Sequence, residues 1–339
     1  MSEEINDDRR RFLATAAATV AATQFGLARA SAAAGKGGGE LASLETATGW
    51  LNSAPLTAAG LRGKVVLVSF WTYSCINWLR SQPYLRAWAD RYRDRGLVVV
   101  GVHSPEFGFE KDLDNVRRAA QALRVSYPIA VDSNHAIWNA FDNRYWPALY
   151  FVDAKGRIRH HQFGEGQYER SEETIQRLLV AAGYQGVGAG LVSVTGSGRE
   201  AAADWASLRS PESYLGSRRR ENVGEGKLNH WTLSGDWAVG SEAITLNGPA
   251  GKIGYRFHAR DLHLVMGPAA AGAAARFRVR LDGKVPGAAH GLDVDSQGTG
   301  QVTEPRLYQL IRQPQPIADR EFEIEFLDPG VEAFVFTFG

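Results

Sequence analysis

Hydrophobic and polar positions follow two different patterns along the chain. From about residue 44 to 183, continuous apolar runs alternate with segments whose apolar residues recur every three or four positions. Val65–Trp71 and Leu97–His103 are almost entirely apolar, as expected for strands buried on both faces of a sheet. Helical spacing occurs at residues 75–95, 112–123 and 169–182, and residues 148–163 predict a β-hairpin. The alternation predicts an α/β domain over 44–183, with helices on both faces of the sheet.

In the second half of the chain the helical spacing disappears. Strict alternation of apolar and polar residues at 276–281 and 321–326 predicts strands with one buried face. Eight short β-type runs are predicted, at residues 231–233, 243–246, 253–257, 262–266, 277–281, 307–311, 322–326 and 334–338. This pattern predicts an all-β sandwich of jelly-roll type over 228–339. Residues 184–227, which begin in a glycine-rich stretch, are predicted to be a linker and irregular segment.

A third pattern occupies the first 32 residues, which we interpret as an export signal. Arg9 and Arg10 precede a short, weakly apolar run over residues 13–27, and Ala32 completes a small-residue signal-peptidase site. The run is too short and too polar to span a bilayer. It resembles a twin-arginine export signal, which a receptor reads and which is not an anchor. The sequence therefore predicts a signal peptide at 1–32, a linker at 33–43, no stable membrane insertion, and a periplasmic or secreted mature protein.

Composition and charge narrow the function classes. The 339 residues are 44% hydrophobic and 22% charged, which excludes disorder for most of the length. A formal net charge of +1 provides no basic excess, so we expect neither nucleic acid nor an anionic membrane as the main partner. The sequence contains one cysteine, Cys75, which excludes a disulfide scaffold.

The segment around Cys75 resembles a known active site. Residues 68–78 (VSFWTYSCINW) resemble the active-site segment of thioredoxin-like proteins, nearest the TlpA/DipZ branch of exported redoxins in the AhpC/TSA-redoxin superfamily. Residues 146–153 (WPALYFVD) and 101–107 (GVHSPEF) resemble the cis-proline segment and the middle-strand loop of the same family. The resemblance implies a thioredoxin-like fold with Cys75 as the nucleophile, and it implies no cofactor.

Trp78 departs from the family pattern Cys-x-x-Cys, because it stands where the second cysteine belongs. In a dithiol enzyme the first cysteine attacks a substrate disulfide and the second resolves the mixed disulfide. Since the sequence has no other cysteine, an internal dithiol cycle is excluded. The resemblance then implies a monothiol that acts through Cys75 alone.

The neighbours of Cys75 suggest how its thiol is tuned. At a helix start, unpaired N–H groups and the helix dipole favour the thiolate, so we predict a lowered pKa for Cys75, with Ser74 as the N-cap. Thr72 is similar in position to the threonine of the peroxiredoxin motif Thr-x-x-Cys. The alternative is that Cys75 is a small buried hydrophobic residue.

Three residues from other segments complete the candidate site. The resemblance implies that Pro147 follows a cis bond from Trp146 and lies beside Cys75, where the backbone pairs with an extended substrate. The alternative is an ordinary trans proline. His103 ends a strand expected beside that of Cys75 and is a candidate for tuning the thiol, but a solvated strand end is the favoured interpretation, as it is for Glu106.

The second domain carries weaker signals. Residues 229–231, 258–264 and 291–295 resemble the C-terminal domain of DipZ-like proteins, a sandwich similar to carbohydrate-binding modules. The resemblance suggests a glycan partner, with Trp231, Trp237, Tyr255 and Tyr308 as stacking candidates, although core packing is favoured for these aromatic residues. Asp293, Asp295 and Glu304 have the spacing of a calcium loop, but a polar turn is favoured. The arginines at 218–220 are predicted to lie in a solvated loop.

Three functions remain open on this basis. The leading one is an exported thioredoxin-like protein that forms or exchanges mixed disulfides with partner proteins through Cys75. Its expected partners are protein thiols or disulfides. We also expect a reductant that acts in trans, because no other stretch of the sequence reaches the 18 apolar residues that a membrane-embedded electron donor requires. The alternatives are a non-catalytic peptide- or glycan-binding module on a redoxin fold, and a single-cysteine peroxidase.

Overall fold

The computed structural model describes residues 39–270 and 272–339. The predicted signal peptide at 1–32 lies outside the described residues, and so does most of the predicted linker at 33–43. In the described part of the chain, no helix is long and apolar enough to cross a membrane.

A six-stranded mixed sheet organises the first half of the chain. Its strands are β1 (Gly49–Leu51), β2 (Val65–Trp71), β3 (Leu97–His103), β4 (Ile129–Val131), β5 (Ala148–Val152) and β6 (Ile158–Phe163). They are ordered β1-β4-β3-β2-β5-β6. Strands β2, β3 and β4 are parallel, whereas β1, β5 and β6 pair antiparallel with β4, β2 and β5.

Helices cover both faces of this sheet. They are α1 (Ile76–Tyr92), α2 (Leu113–Ala122), α3 (Ala136–Ala140) and α4 (Tyr168–Ala181). Alternate residues of the central strand β2 enter two different cores: Leu67 packs with α1 and α4, and Val68 packs with α3. Every residue of β2 is buried, as its continuous apolar run predicts. The α/β prediction for this half of the chain is confirmed.

Two antiparallel sheets form most of the second half. Their strands are β7 (Ser213–Tyr214), β8 (Trp231–Ser234), β9 (Trp237–Val239), β10 (Ile244–Leu246), β11 (Gly251–Phe257), β12 (Asp261–Pro268), β13 (Ala275–Leu281), β14 (Thr299–Val302), β15 (Arg306–Arg312), β16 (Arg320–Phe326) and β17 (Val331–Phe338). One sheet is ordered β15-β12-β17-β10-β9, with β7 also on β17, and the other is ordered β14-β13-β16-β11-β8. All eight predicted strands are present, and three short ones are additional. The mostly-β prediction is confirmed, while the jelly-roll assignment stays a prediction.

The two halves share a continuous apolar core. Phe334 of β17 packs against Phe107 and Phe109, with ring centroids 5.1 and 4.8 Å apart. The segment predicted as a linker also takes part: Glu200 accepts both Nη groups of Arg86 on α1, at 2.8 and 2.7 Å. This segment is therefore held against α1 through Glu200 and against β17 through the short strand β7.

Candidate active site around Cys75

Cys75 lies between β2 and α1, where it caps the helix. Its φ and ψ of −79° and 113° are extended, and its N–H donates to the carbonyl of Thr72 at 3.3 Å. The thiol Sγ lies 3.8 Å from the backbone carbonyl oxygen of Trp146. The bond from Trp146 to Pro147 is cis. The fold thus brings Cys75 and the cis-proline segment together, although they are about seventy residues apart in the sequence.

Ser74 does not cap the helix, contrary to the sequence prediction. Its hydroxyl donates to Oε1 of Glu110 at 2.5 Å, while the extended backbone of Cys75 takes the cap position. The hydroxyl of a serine before a helix can bond to other groups instead of capping the helix, and here it bonds to the buried carboxylate of Glu110, which is distant in the sequence. Thr72 is fully buried beneath this turn.

The surroundings of Cys75 raise the pKa of its thiol, which corrects the expectation of a lowered value. Desolvation of the thiolate is the largest cause, and the carboxylates of Glu212 and Glu106 add to it. The backbone N–H groups of Trp78 and Asn77 act in the opposite direction, as expected at a helix start. The helix start does favour the thiolate, but burial and two nearby carboxylates outweigh it.

Trp78 is a core residue rather than a residue of the substrate groove. Its indole is fully buried and stacks on that of Trp71, with ring centroids 4.2 Å apart and planes at 23°. Position 78 therefore contributes apolar packing to the core and no thiol.

His103 is buried, so the solvated interpretation is wrong. Its ring stacks on Tyr73, with centroids 5.6 Å apart, and its edge-to-face contact with Trp71 has a centroid distance of 4.9 Å. Burial lowers the pKa of His103 to about 3, so the imidazole is neutral. His103 supports the aromatic packing under the Cys75 turn.

Glu106 is ion-paired rather than solvated, and its partners come from the second half of the chain. Its Oε1 accepts the Tyr214 hydroxyl at 2.8 Å and Nη1 of Arg219 at 2.8 Å. Arg219 also lies over the ring of Tyr214, at 3.6 Å from its centroid. The prediction of a solvated loop at 218–220 is therefore wrong for Arg219, and also for Arg220, which lies over the ring of Trp231.

Sequence reasoning missed three residues of this site, Glu110, Glu212 and Tyr214, and assigned Arg219 to a solvated loop. Glu212, Tyr214 and Arg219 belong to a segment predicted as a linker, where no periodic pattern exists to flag them. Glu110 lies three residues beyond the recognised GVHSPEF segment, and this proximity was the available signal.

The calcium-loop match does not form a cation site. Asp293 pairs with Arg306 and Arg199 at 2.9 and 3.4 Å, and Glu304 pairs with Arg306 at 3.1 Å. Asp295 accepts the backbone N–H groups of Gln297 and Thr299, which is the favoured polar-turn interpretation. No group of three or more candidate metal ligands occurs among the described residues.

Three of the four candidate sugar-stacking residues are core residues. Trp231, Tyr255 and Tyr308 are buried in the second half of the chain, and only Trp237 is half-exposed. The core interpretation is correct for those three.

Comparisons with known proteins agree with this geometry. The AhpC/TSA family model matches residues 42–161, and a model described as the thioredoxin like C-terminal domain matches residues 210–339. Protein DipZ of Mycobacterium bovis is 39% identical over 243 residues, which cover 66% of this chain and 34% of that protein. DipZ of Mycobacterium tuberculosis matches to the same extent. The chain thus spans about a third of the length of these relatives.

A shorter relative is covered almost completely. The thiol-disulfide oxidoreductase YkuV of Bacillus subtilis is 34% identical over 130 residues, which are 38% of this chain and 87% of that protein. Among solved structures, the solution structure of a thioredoxin-like protein in the oxidized form is 35% identical, with a TM-score of 0.37, and covers 40% of this chain and 90% of its own. The chain belongs to the AhpC/TSA redoxins, a thioredoxin-like family whose members include thiol-disulfide oxidoreductases.

Proposed function

We propose that this protein forms and exchanges mixed disulfides with partner proteins through Cys75 alone. The observation that carries the proposal is the position of Sγ of Cys75, which lies 3.8 Å from the carbonyl oxygen of Trp146 before cis Pro147. An extended substrate that pairs with this backbone places its disulfide beside the thiol. The chemistry is that of the thiol-disulfide oxidoreductases, with one thiol instead of two.

The reaction balances in two exchanges. The Cys75 thiolate attacks one sulfur of a substrate disulfide, a bond forms between the two sulfurs, and the other substrate sulfur leaves as a thiolate. An external thiol then attacks the mixed disulfide and releases Cys75. The raised pKa of Cys75 leaves little thiolate near neutral pH, so the first step is slow there and accelerates as pH rises.

The mixed disulfide is expected to be long-lived. With 5,5′-dithiobis(2-nitrobenzoic acid), the protein is expected to release one equivalent of thionitrobenzoate and to keep one in covalent linkage until an external thiol is added. Absorbance measures the release and mass spectrometry the adduct. Cys75→Ser is the control and should release none. Spontaneous loss of the adduct without added thiol would contradict the proposal.

A second candidate is a binding module in which the thiol takes no part. The observation that favours it is the raised pKa of Cys75, because most of the thiol is protonated at neutral pH. If Cys75→Ser captures the same peptides as the wild type, this candidate is supported. If capture disappears with the thiol, covalent exchange is supported.

Export is a separate part of the proposal and rests on the sequence at 1–32. Replacing Arg9 and Arg10 by lysine is expected to leave unprocessed protein in the cytoplasm, because the twin-arginine receptor reads that pair. Fractionation and N-terminal sequencing measure the outcome. Lysine at Arg29 is the matched control and should export normally. Continued export of the double variant would remove the twin-arginine assignment.

A further inference from the structure

A buried carboxyl group, that of Glu110, is hydrogen-bonded to Ser74, the residue before Cys75. Glu110 is fully buried, in a short 3-10 turn at Gly108–Lys111. Its Oε1 accepts the hydroxyl of Ser74 at 2.5 Å, and its Oε2 accepts the backbone N–H groups of Glu106 and Phe107 at 2.6 and 3.0 Å. All of these donors are neutral.

Glu110 links the Cys75 turn to the second half of the chain. Ser74 attaches the turn to Glu110, and Glu110 holds the backbone of Glu106. Glu106 in turn accepts Arg219, and the N–H of Gly108 donates to Glu242 at 2.8 Å. A chain of hydrogen bonds thus runs from the residue before Cys75, through this one carboxylate, to the second half of the chain.

We propose that Glu110 is a positioning residue for Cys75, and that its ionised form holds the Ser74 turn in the reactive arrangement more firmly than its protonated form. The inference rests on the proposed function of Cys75. When the carboxylate is ionised, Oε1 accepts the Ser74 hydroxyl in a charge-assisted bond. When the carboxyl group is protonated at Oε1, it donates to the Ser74 hydroxyl oxygen instead, and the hydroxyl proton of Ser74 turns to another acceptor. The bond that holds the turn is then no longer charge-assisted and is weaker.

The titration of Glu110 falls within an accessible pH range. Burial raises the pKa of Glu110 to about 7; the nearby carboxylate of Glu106 adds to this, and the hydroxyls of Ser74 and Thr72 oppose it. The other charged groups around it are Arg118 and Asp112, which act on the adjacent Tyr73, and Glu242 at the turn. Tyr73 and His103 stay neutral between pH 5 and 9, because burial raises the pKa of the first and lowers that of the second.

The rate of Cys75 alkylation by iodoacetamide tests the inference on the full chain. Iodoacetamide is neutral, so its rate reports thiolate population and access without charge selection. Between pH 8 and pH 6 the loss of thiolate alone lowers the wild-type alkylation rate. We expect a further decrease by a factor of about 3 to 10, the size expected for weakening one hydrogen bond to a charged group. Glu110→Gln, which keeps the shape but not the charge, should follow thiol titration alone.

Two further variants make the outcome specific. Ser74→Ala keeps the carboxyl group and removes its link to the turn, so it should also lose the extra pH dependence, and it carries the test if Glu110→Gln does not fold. Glu172→Gln is the matched control, because Glu172 is a buried carboxylate bonded to Tyr92 at the far end of α1. It should keep the wild-type profile.

The results separate the inference from the proposed function. The role of Glu110 would be overturned if the wild-type alkylation rate follows thiol titration alone, or if the additional decrease in rate below pH 8 persists in Glu110→Gln. Either result would leave exchange through Cys75 intact. A thiol that reacts in no variant at any pH would overturn both. An extra step that is present in the wild type and in Glu172→Gln, and absent from the other two variants, would support the inference.

Discussion

Replacing Trp78 by cysteine is expected to make the protein less stable and at the same time a faster disulfide reductase. The variant loses a fully buried indole that stacks on Trp71, and truncations of buried tryptophan cost about 3–5 kcal/mol. The new thiol stands three residues after Cys75, on the same face of the first helical turn. It supplies the resolving group that the sequence lacks, because an intramolecular thiol attacks the mixed disulfide at a high effective concentration.

Insulin reduction with excess dithiothreitol, together with urea unfolding, measures both effects. Trp78→Ala is the matched control, since it leaves a similar cavity without a thiol. Both variants are expected to lose comparable stability, and only Trp78→Cys should exceed wild-type turnover, by about tenfold. Equal turnover in the two variants would contradict the view that a thiol at position 78 is sufficient for an internal dithiol cycle.

The second large effect is a change in stability with pH at Glu110. The pKa of this group is about 7 in the native state, raised from 4.5 by burial, so the native protein binds a proton that the unfolded chain releases between these values. Its contribution to stability is therefore fully present below pH 4.5 and is lost as pH rises through 7. The difference corresponds to about 3 kcal/mol at pH 8.

Glu110→Gln has no such proton to lose. The free energy of unfolding in urea is measured for the variant and for the wild type. The difference, variant minus wild type, is expected to increase by about 3 kcal/mol between pH 4.5 and pH 8. Ser74→Ala, which keeps the carboxyl group, should retain a pH dependence at least as large as that of the wild type, because the Ser74 hydroxyl no longer opposes the raised pKa of Glu110. If Glu110→Gln and the wild type change in parallel over this range, Glu110 does not titrate as described.

Trp78 and Glu110 both support the Cys75 turn. The turn rests on the stacked indoles of Trp71 and Trp78 on one side and is bonded to Glu110 on the other. One support is apolar and independent of pH, whereas the other is a carboxylate that titrates near neutrality. We therefore expect the effects of Trp78 variants to be independent of pH, and Glu110→Gln to lower the reactivity of Cys75 only above about pH 7.

The sequence by itself determined the main strands and helices and the one thiol on which the proposed function rests. Central strands such as β2 are buried on both faces of an α/β sheet, so a continuous apolar run predicts such a strand without tertiary information. Strict alternation identified the strands β13 and β16 for the same reason. The single cysteine followed by Trp78 excluded an internal dithiol cycle by counting alone.

Only the tertiary structure decided the environment of that cysteine. The thiol pKa, the burial of His103, the partner of Ser74 and the pairing of Arg219 with Glu106 all depend on contacts between residues far apart in the sequence. Periodicity reports which face of an element is buried, but it carries no information on which distant polar group faces it. Burial and hydrogen bonding across such contacts set the charge state of Cys75 and Glu110, so their chemistry emerges only when the two halves of the chain pack together.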